Sequence, residues 1–188
     1  MNKENLFNAV RGLAKTLSQV QVDSVNAILC KCEKYGITDK RFIAYIIASA
    51  WHESRLKPVE EVGKGKGYPY GSKLDMGKGP GKRVSYTTPD KLFYGRGLIQ
   101  ITWLVNYKSF GKLLGVDLVN NPELALHTDI AAEIAVLGML KGYFTGVKLA
   151  DAFNEKETDP IEARGIVNGT DKAKLIAGYF WTIYNAIK

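Results

Sequence analysis

Lys40-Arg41-Phe42-Ile43-Ala44-Tyr45-Ile46-Ile47-Ala48-Ser49-Ala50-Trp51-His52-Glu53-Ser54 is the stretch on which the fold turns. From Phe42 to Trp51 the run is apolar, about half the length of a membrane span, and Lys40, Arg41, His52 and Glu53 flank it. It therefore predicts a helix sunk in a protein core. Thr38 or Asp39 can start that helix, and Pro58 sets a boundary soon after Ser54, because the residue before a proline avoids helical torsions. Glu53 closes this apolar segment. A partly desolvated carboxyl there could hold a proton and act as a general acid, while the plainer alternative is an exposed Glu or one paired with Arg55.

Helical patterning continues on both sides. Ser18 can cap a helix carrying Val22, Val25, Ile28, Leu29 and Cys32 that stops at Gly36. Downstream, helix is expected from about Thr102 to Gly115, and from Thr128 or Asp129 through Ile130, Ile134, Leu137 and Leu140. Asp159-Pro160 suits the start of a short helix ending near Asn168-Gly169. The last helix begins at Asp171, with Leu175, Ile176, Tyr179, Phe180, Ile183, Tyr184 and Ile187 as its core stripe. Between these helices lies a different region, Gly63 to Pro89. Seven of residues 63–81 are Gly, and Lys64, Lys66, Lys73, Lys78, Lys82 and Arg83 face one acid, Asp75. So long and polar an excursion reads as the wall of a cleft, with room for a small hairpin inside it. The expectation is a mostly α, single helical domain over residues 1–188, with no separate wall-binding module.

Composition agrees. The chain has 188 residues, 46% hydrophobic and 11% aromatic, enough to bury a core and to exclude whole-chain disorder. Its net charge of +7 suits an anionic partner. Cys30 and Cys32 are too few for a disulfide framework, and their spacing on a helix turns them apart. No segment of signal-peptide type occupies the first twenty residues, which carry Lys3, Glu4, Arg11 and Lys15.

Several motifs fail on inspection. His52-Glu53 lacks the second His of a zinc peptidase, since Leu56 stands there, and no metal set can be assembled. Gly81-Lys82-Arg83 is not a phosphate loop, and the glycines from Gly63 do not complete a dinucleotide fingerprint. Basic residues concentrate in one loop without a recognition motif, so nucleic acid is not the expected partner. Two constellations survive. Glu60-Glu61 follow Glu53 by seven and eight positions and could face it across a cleft. Tyr94-Gly95-Arg96-Gly97-Leu98-Ile99-Gln100-Ile101-Thr102-Trp103, with Asn106-Tyr107 beyond, combines close-approach glycines, polar side chains and aromatics.

Three blocks together resemble the signatures of glycoside hydrolase family 19: Ala48 to Ser54, Tyr94 to Tyr107, and Ala163-Arg164-Gly165-Ile166-Val167-Asn168-Gly169. This chitinase-like family sits in the lysozyme-like superfamily, and the likeness is to its bacteriophage and prophage endolysins, from about Ser18 to the C-terminus. The stretch after the second carboxylate, Val62-Gly63-Lys64-Gly65, departs from the Asn-x-Asn-Tyr type of plant members.

The resemblance implies Glu53 as catalytic acid, Glu61 as the base acting on water, and Thr102 as a holder of that water. It places His52, Tyr94, Arg96, Gln100, Asn106, Tyr107 and Asn168 against substrate, with Arg164 beside the second carboxylate. Neighbours in an extended segment point to opposite sides, so Glu60 is expected to meet solvent if Glu61 faces the cleft. The implied activity is hydrolysis of β-1,4 bonds in peptidoglycan glycan strands with inversion, without metal or organic cofactor. Chitin is the alternative substrate, and a non-catalytic wall-binding module the alternative role. A monomer is expected, held in the host bacterial cytoplasm until a holin-type pore releases it to the wall. Anionic outer-membrane lipid is a further expected contact.

Overall fold

In the computed structural model, which describes residues 1–188, the apolar run is the third of seven α-helices. These are α1 (Lys3–Ala14), α2 (Gln19–Lys34), α3 (Lys40–Ser54), α4 (Leu104–Leu114), α5 (Thr128–Lys141), α6 (Leu149–Ala152) and α7 (Ala173–Ile187). Asp39 caps α3 by accepting a hydrogen bond from the Arg41 N–H at 2.8 Å. Every residue from Ile43 to Trp51 is buried, as the sequence predicts. Cys30 is exposed, Cys32 buried, and neither is bridged. No helix is long and apolar enough to cross a membrane.

α3 packs on α7, α2 on α5, and α1 on α7. Tyr45 of α3 meets Phe153 at 5.3 Å between ring centres, and Phe153 stacks on Phe180 of α7 at 5.2 Å. A second apolar cluster gathers Phe93, Ile101, Leu104, Tyr107 and Phe110 under the Tyr94 segment. The α2–α5 seam holds a charged cluster. Lys31 Nζ reaches Asp129 at 2.8 Å and Glu133 at 3.1 Å, and Lys34 reaches Glu133 at 2.5 Å. Burial pushes the Glu133 carboxyl up, but hydrogen bonds from Lys34, Tyr35 and Lys31 outweigh it and hold it down at about 2.

The strands are short. β1 (Val59–Glu60) pairs antiparallel with β4 (Arg96–Gly97), aligning Glu60 with Arg96. β2 (Leu74–Met76) and β3 (Arg83–Ser85) form the hairpin expected within the glycine-rich excursion. Some boundaries differ from the sequence reading. α4 begins at Leu104 rather than Thr102, because Trp103 has φ +73° and cannot belong to the helix. The segment after Asp159-Pro160 is a 3-10 turn, Glu162–Ile166, instead of an α-helix. Leu175, placed on the core stripe by periodicity, is 46% exposed.

Candidate active site

Glu53 stands on the last turn of α3, so the packing of that helix fixes its Cα. Its Oε1 accepts a 2.6 Å hydrogen bond from Arg164 Nη1. Arg164 is only 3% exposed, and its Nε donates to the Asp171 carbonyl at 3.0 Å. The turn that carries it is held by Thr145, whose hydroxyl donates to the Gly165 carbonyl at 2.6 Å. Arg164 therefore clamps Glu53, not the second carboxylate as the resemblance implied. Arg55 turns away and lies over the Trp51 ring at 5.1 Å. With Oε1 occupied, Oε2 is the oxygen left without a protein partner.

A cavity of about 510 Å³ opens at this point. Glu53, Gln100, Thr102, Asn106 and Asn168 all line it, so five residues from three separated blocks converge on one space. Trp103, Met76, Phe144 and Thr145 complete much of the wall. Asn106 is oriented by its side-chain amide, which donates to the Thr102 carbonyl at 2.9 Å. The Gln100 amide donates to the carbonyls of Val59 at 2.8 Å and Gly97 at 2.9 Å, joining β1 to the turn after β4.

The adjacent carboxylates part company. Glu61 accepts from the Tyr70 hydroxyl and from the Gly95 N–H, each at 3.0 Å. A Cβ on Gly95 would lie 2.8 Å from Gln100 Oε1 and 3.3 Å from Glu61 Cβ, so only glycine lets both side chains close on this point. Burial first, then the Glu61 carboxylate, push the Tyr70 phenol above its ordinary range. Glu61 thus neighbours Gln100 at Gly95 but is not itself among the residues that line the cavity.

Glu60 takes the other side, but it does not meet solvent freely. Tyr94 donates to it at 2.8 Å, with Lys64 at 3.3 Å and Arg96 Nε at 3.5 Å. The Tyr94 hydrogen bond is the main cause that holds the Glu60 carboxyl below its usual range.

Three further sequence assignments need revision. Tyr107 is fully buried, and Arg96 and Tyr94 are 5% and 6% exposed. Arg96 Nη1 donates to the Tyr107 hydroxyl at 3.1 Å and the guanidinium covers the Tyr94 ring at 3.7 Å. These three brace the segment from behind and do not face the cavity. Their residue types suggest ligand contact, but the hydrogen bonds among them are spent internally. His52 also lies off the cavity wall, half-buried, and burial pushes its imidazole below the ordinary value.

The glycine-rich excursion is fastened to the cavity chiefly at Trp103 and the start of α4. Arg83 lies over the Trp103 ring at 4.5 Å, and Tyr70 meets it edge-on at 5.2 Å. Asp75 accepts from the Val105 N–H at 3.1 Å and so supplies an acceptor at the start of α4. Tyr70, Asp75, Met76 and Thr145 escaped the sequence reading. The aromatic pair Tyr68 and Tyr70 amid glycines was the one available signal, and the two rings stack at 5.2 Å.

Comparison with known proteins places this geometry. A family profile described as Chitinase class I matches residues 36–140, more than half of the chain and two of the three blocks. An endochitinase of Arabidopsis thaliana is 37% identical over 90 residues, 47% of this chain and 28% of its own length. An Endochitinase 1 of Theobroma cacao is 36% identical over 96 residues, 49% of this chain and 30% of its own. These matches thus span under a third of the curated relatives. An inactive chitinase-like protein of Hevea brasiliensis is 56% identical over 36 residues, 19% of this chain and 12% of its own. Chitinase C from Streptomyces griseus superposes with a TM-score of 0.70 at 21% identity, covering 95% of this chain and 74% of that one, which establishes a shared fold. On the profile match and the mostly helical, lysozyme-like fold, the chain belongs to glycoside hydrolase family 19.

Proposed function

We propose that the chain hydrolyses β-1,4-glycosidic bonds of bacterial peptidoglycan by single displacement with inversion. The observation that carries this reading is the convergence of Glu53, Gln100, Thr102, Asn106 and Asn168 on one cavity. Glu53 gives a proton to the leaving glycosidic oxygen as the bond to the anomeric carbon breaks, using the carboxyl oxygen that Arg164 does not occupy. Glu61 takes a proton from the water that bonds to that carbon on the opposite face, and Thr102 helps hold the water. Tyr70 and Gly95 fix the Glu61 rotamer so that its remaining lone pairs are the ones offered. Peptidoglycan rather than chitin is supported by the net charge of +7, which complements a carboxylate-bearing polymer. The enzyme acts as an endolysin, held in the cytoplasm until a holin-type pore opens.

Chitin oligomers are the second reading, because the named relatives are endochitinases. Parallel assays decide between them: loss of turbidity of purified peptidoglycan, and release of sugar from N-acetylglucosamine oligomers. Clearing of peptidoglycan with an inverted anomeric product supports the proposal. Cleavage of the oligomers alone replaces it with the chitinase reading, and inactivity on both leaves a binding module.

A further inference from the structure

The largest cavity of the molecule, about 840 Å³, is not the one that Glu53 lines. It is a groove on the neighbouring face, and Gly165 and Gly169 line both spaces, so the third block forms a common wall. Its floor is apolar and open. Ile161 is 48% exposed and Leu175 46%, although periodicity assigns Leu175 to the core stripe of α7. Charges of both signs line it, Lys172 and Lys174 with Asp159 and Glu162. None of these four forms an ion pair within the chain. The acidic end is reinforced by Glu157, whose carboxylate lies within 4.8 Å of those of Asp159 and Glu162.

Asp159 Oδ1 caps the turn by accepting from the Ile161 and Glu162 N–H groups, which leaves Oδ2. An apolar floor lined by ammonium and carboxylate groups without ion-pair partners complements a short zwitterionic peptide. A peptidoglycan strand seated in the Glu53 cavity carries stem peptides as branches on its sugars, and the groove behind the shared Gly165–Gly169 wall is within reach of such a branch. Resting on the peptidoglycan reading above, we propose that this groove is a stem-peptide site. Lys172 and Lys174 would take the peptide carboxylates, Asp159 and Glu162 the amine of a diamino acid, and Ile161 and Leu175 the alanine methyls. Chitin has no such branches, so the groove would be what separates the two substrates.

The test uses intact peptidoglycan and the same glycan strands stripped of peptide by an amidase, with three variants of the full chain. Lys172→Glu/Lys174→Glu reverses the basic end, and Ile161→Ser/Leu175→Ser removes the floor. Lys15→Glu/Lys112→Glu carries the same change in net charge elsewhere. All six positions are exposed, so each variant is expected to fold. Each groove variant should lower kcat/KM on intact peptidoglycan about tenfold and leave the stripped strands unchanged, whereas the control should change neither ratio. Equal losses on both substrates would make the groove a glycan subsite and overturn the proposal, as would variants that match the parent on both. A parent that cleaves stripped strands but never intact peptidoglycan would instead overturn the reading on which the groove rests.

Discussion

The two carboxylates, Glu53 and Glu61, are mounted on two sides built by different means. Glu53 is mounted on α3, whose residues from Ile43 to Trp51 are all buried, and its partner Arg164 is 3% exposed. Glu61 follows a two-residue strand and is held by one hydroxyl and one backbone N–H. The acid side is thus positioned by core packing, while the other carboxylate is positioned by hydrogen bonds from a glycine-rich excursion. Damage to the buried packing and ion pair on the first side should cost stability and activity together, and only an isosteric change at Glu53 itself should spare the fold. On the second side, activity should fall with the fold intact.

Glu53→Gln should show the largest loss of activity, roughly 10²–10⁴-fold, because the amide has no acidic proton to give. Its carbonyl can still accept from Arg164, so calorimetry should find the melting transition close to that of the parent. Glycan cleavage within threefold of the parent would remove Glu53 from the chemistry. Arg164→Met breaks the contrast from the other direction. It leaves a partly buried carboxyl without its donor, and loss of one partner of a buried pair costs about 3–5 kcal/mol. That should appear as a Tm drop of roughly 6–20 °C along with lost activity.

On the opposite side, Tyr70→Phe deletes one donor to Glu61 and should lower kcat about tenfold with little change in Tm. Gly95→Ala should do the same by pushing Gln100 and Glu61 apart. A fall in Tm as large as that of Arg164→Met would show that both sides depend on the same packing.

The smallest effect on activity is expected far from the cavity, at Glu133. Its folded-state pKa, about 2, lies below its unfolded value near 4.5. The stability it contributes is therefore present above about pH 4.5 and lost as pH falls toward 2. Glu133→Gln should weaken the fold at pH 7, flatten its loss of stability over that interval, and leave turnover unchanged. Denaturant titrations at several pH values would measure this.

What could be read in advance follows from how far apart the interacting residues lie in the chain. Asp39 and Gly115 announce helix ends locally, and α3 starts after the first while α4 stops before the second. The Arg164–Glu53 contact joins residues 111 positions apart, and no local pattern announces it. Tyr94, Arg96 and Tyr107 misled for another reason. Polar and aromatic residues suit a sugar or a buried brace equally well, and only burial distinguishes the two roles. The family likeness placed Glu53, Gln100, Thr102, Asn106 and Asn168, and these five share the cavity. It could not place Tyr70, which belongs to the excursion in which the chain departs from its plant-type relatives.

Trp103 gives the cavity an optical reporter. Its indole lies under the Arg83 guanidinium, beside Tyr70, and on the wall that a bound glycan would touch. Any ligand that displaces Arg83 from the ring or excludes solvent from this wall alters the surroundings of the excited indole. The other two indoles make natural references, Trp51 nearly enclosed at 6% exposure and Trp181 on the far more open surface of α7 at 40%. Occupancy of the site is therefore encoded in the intrinsic emission of the protein, without a label.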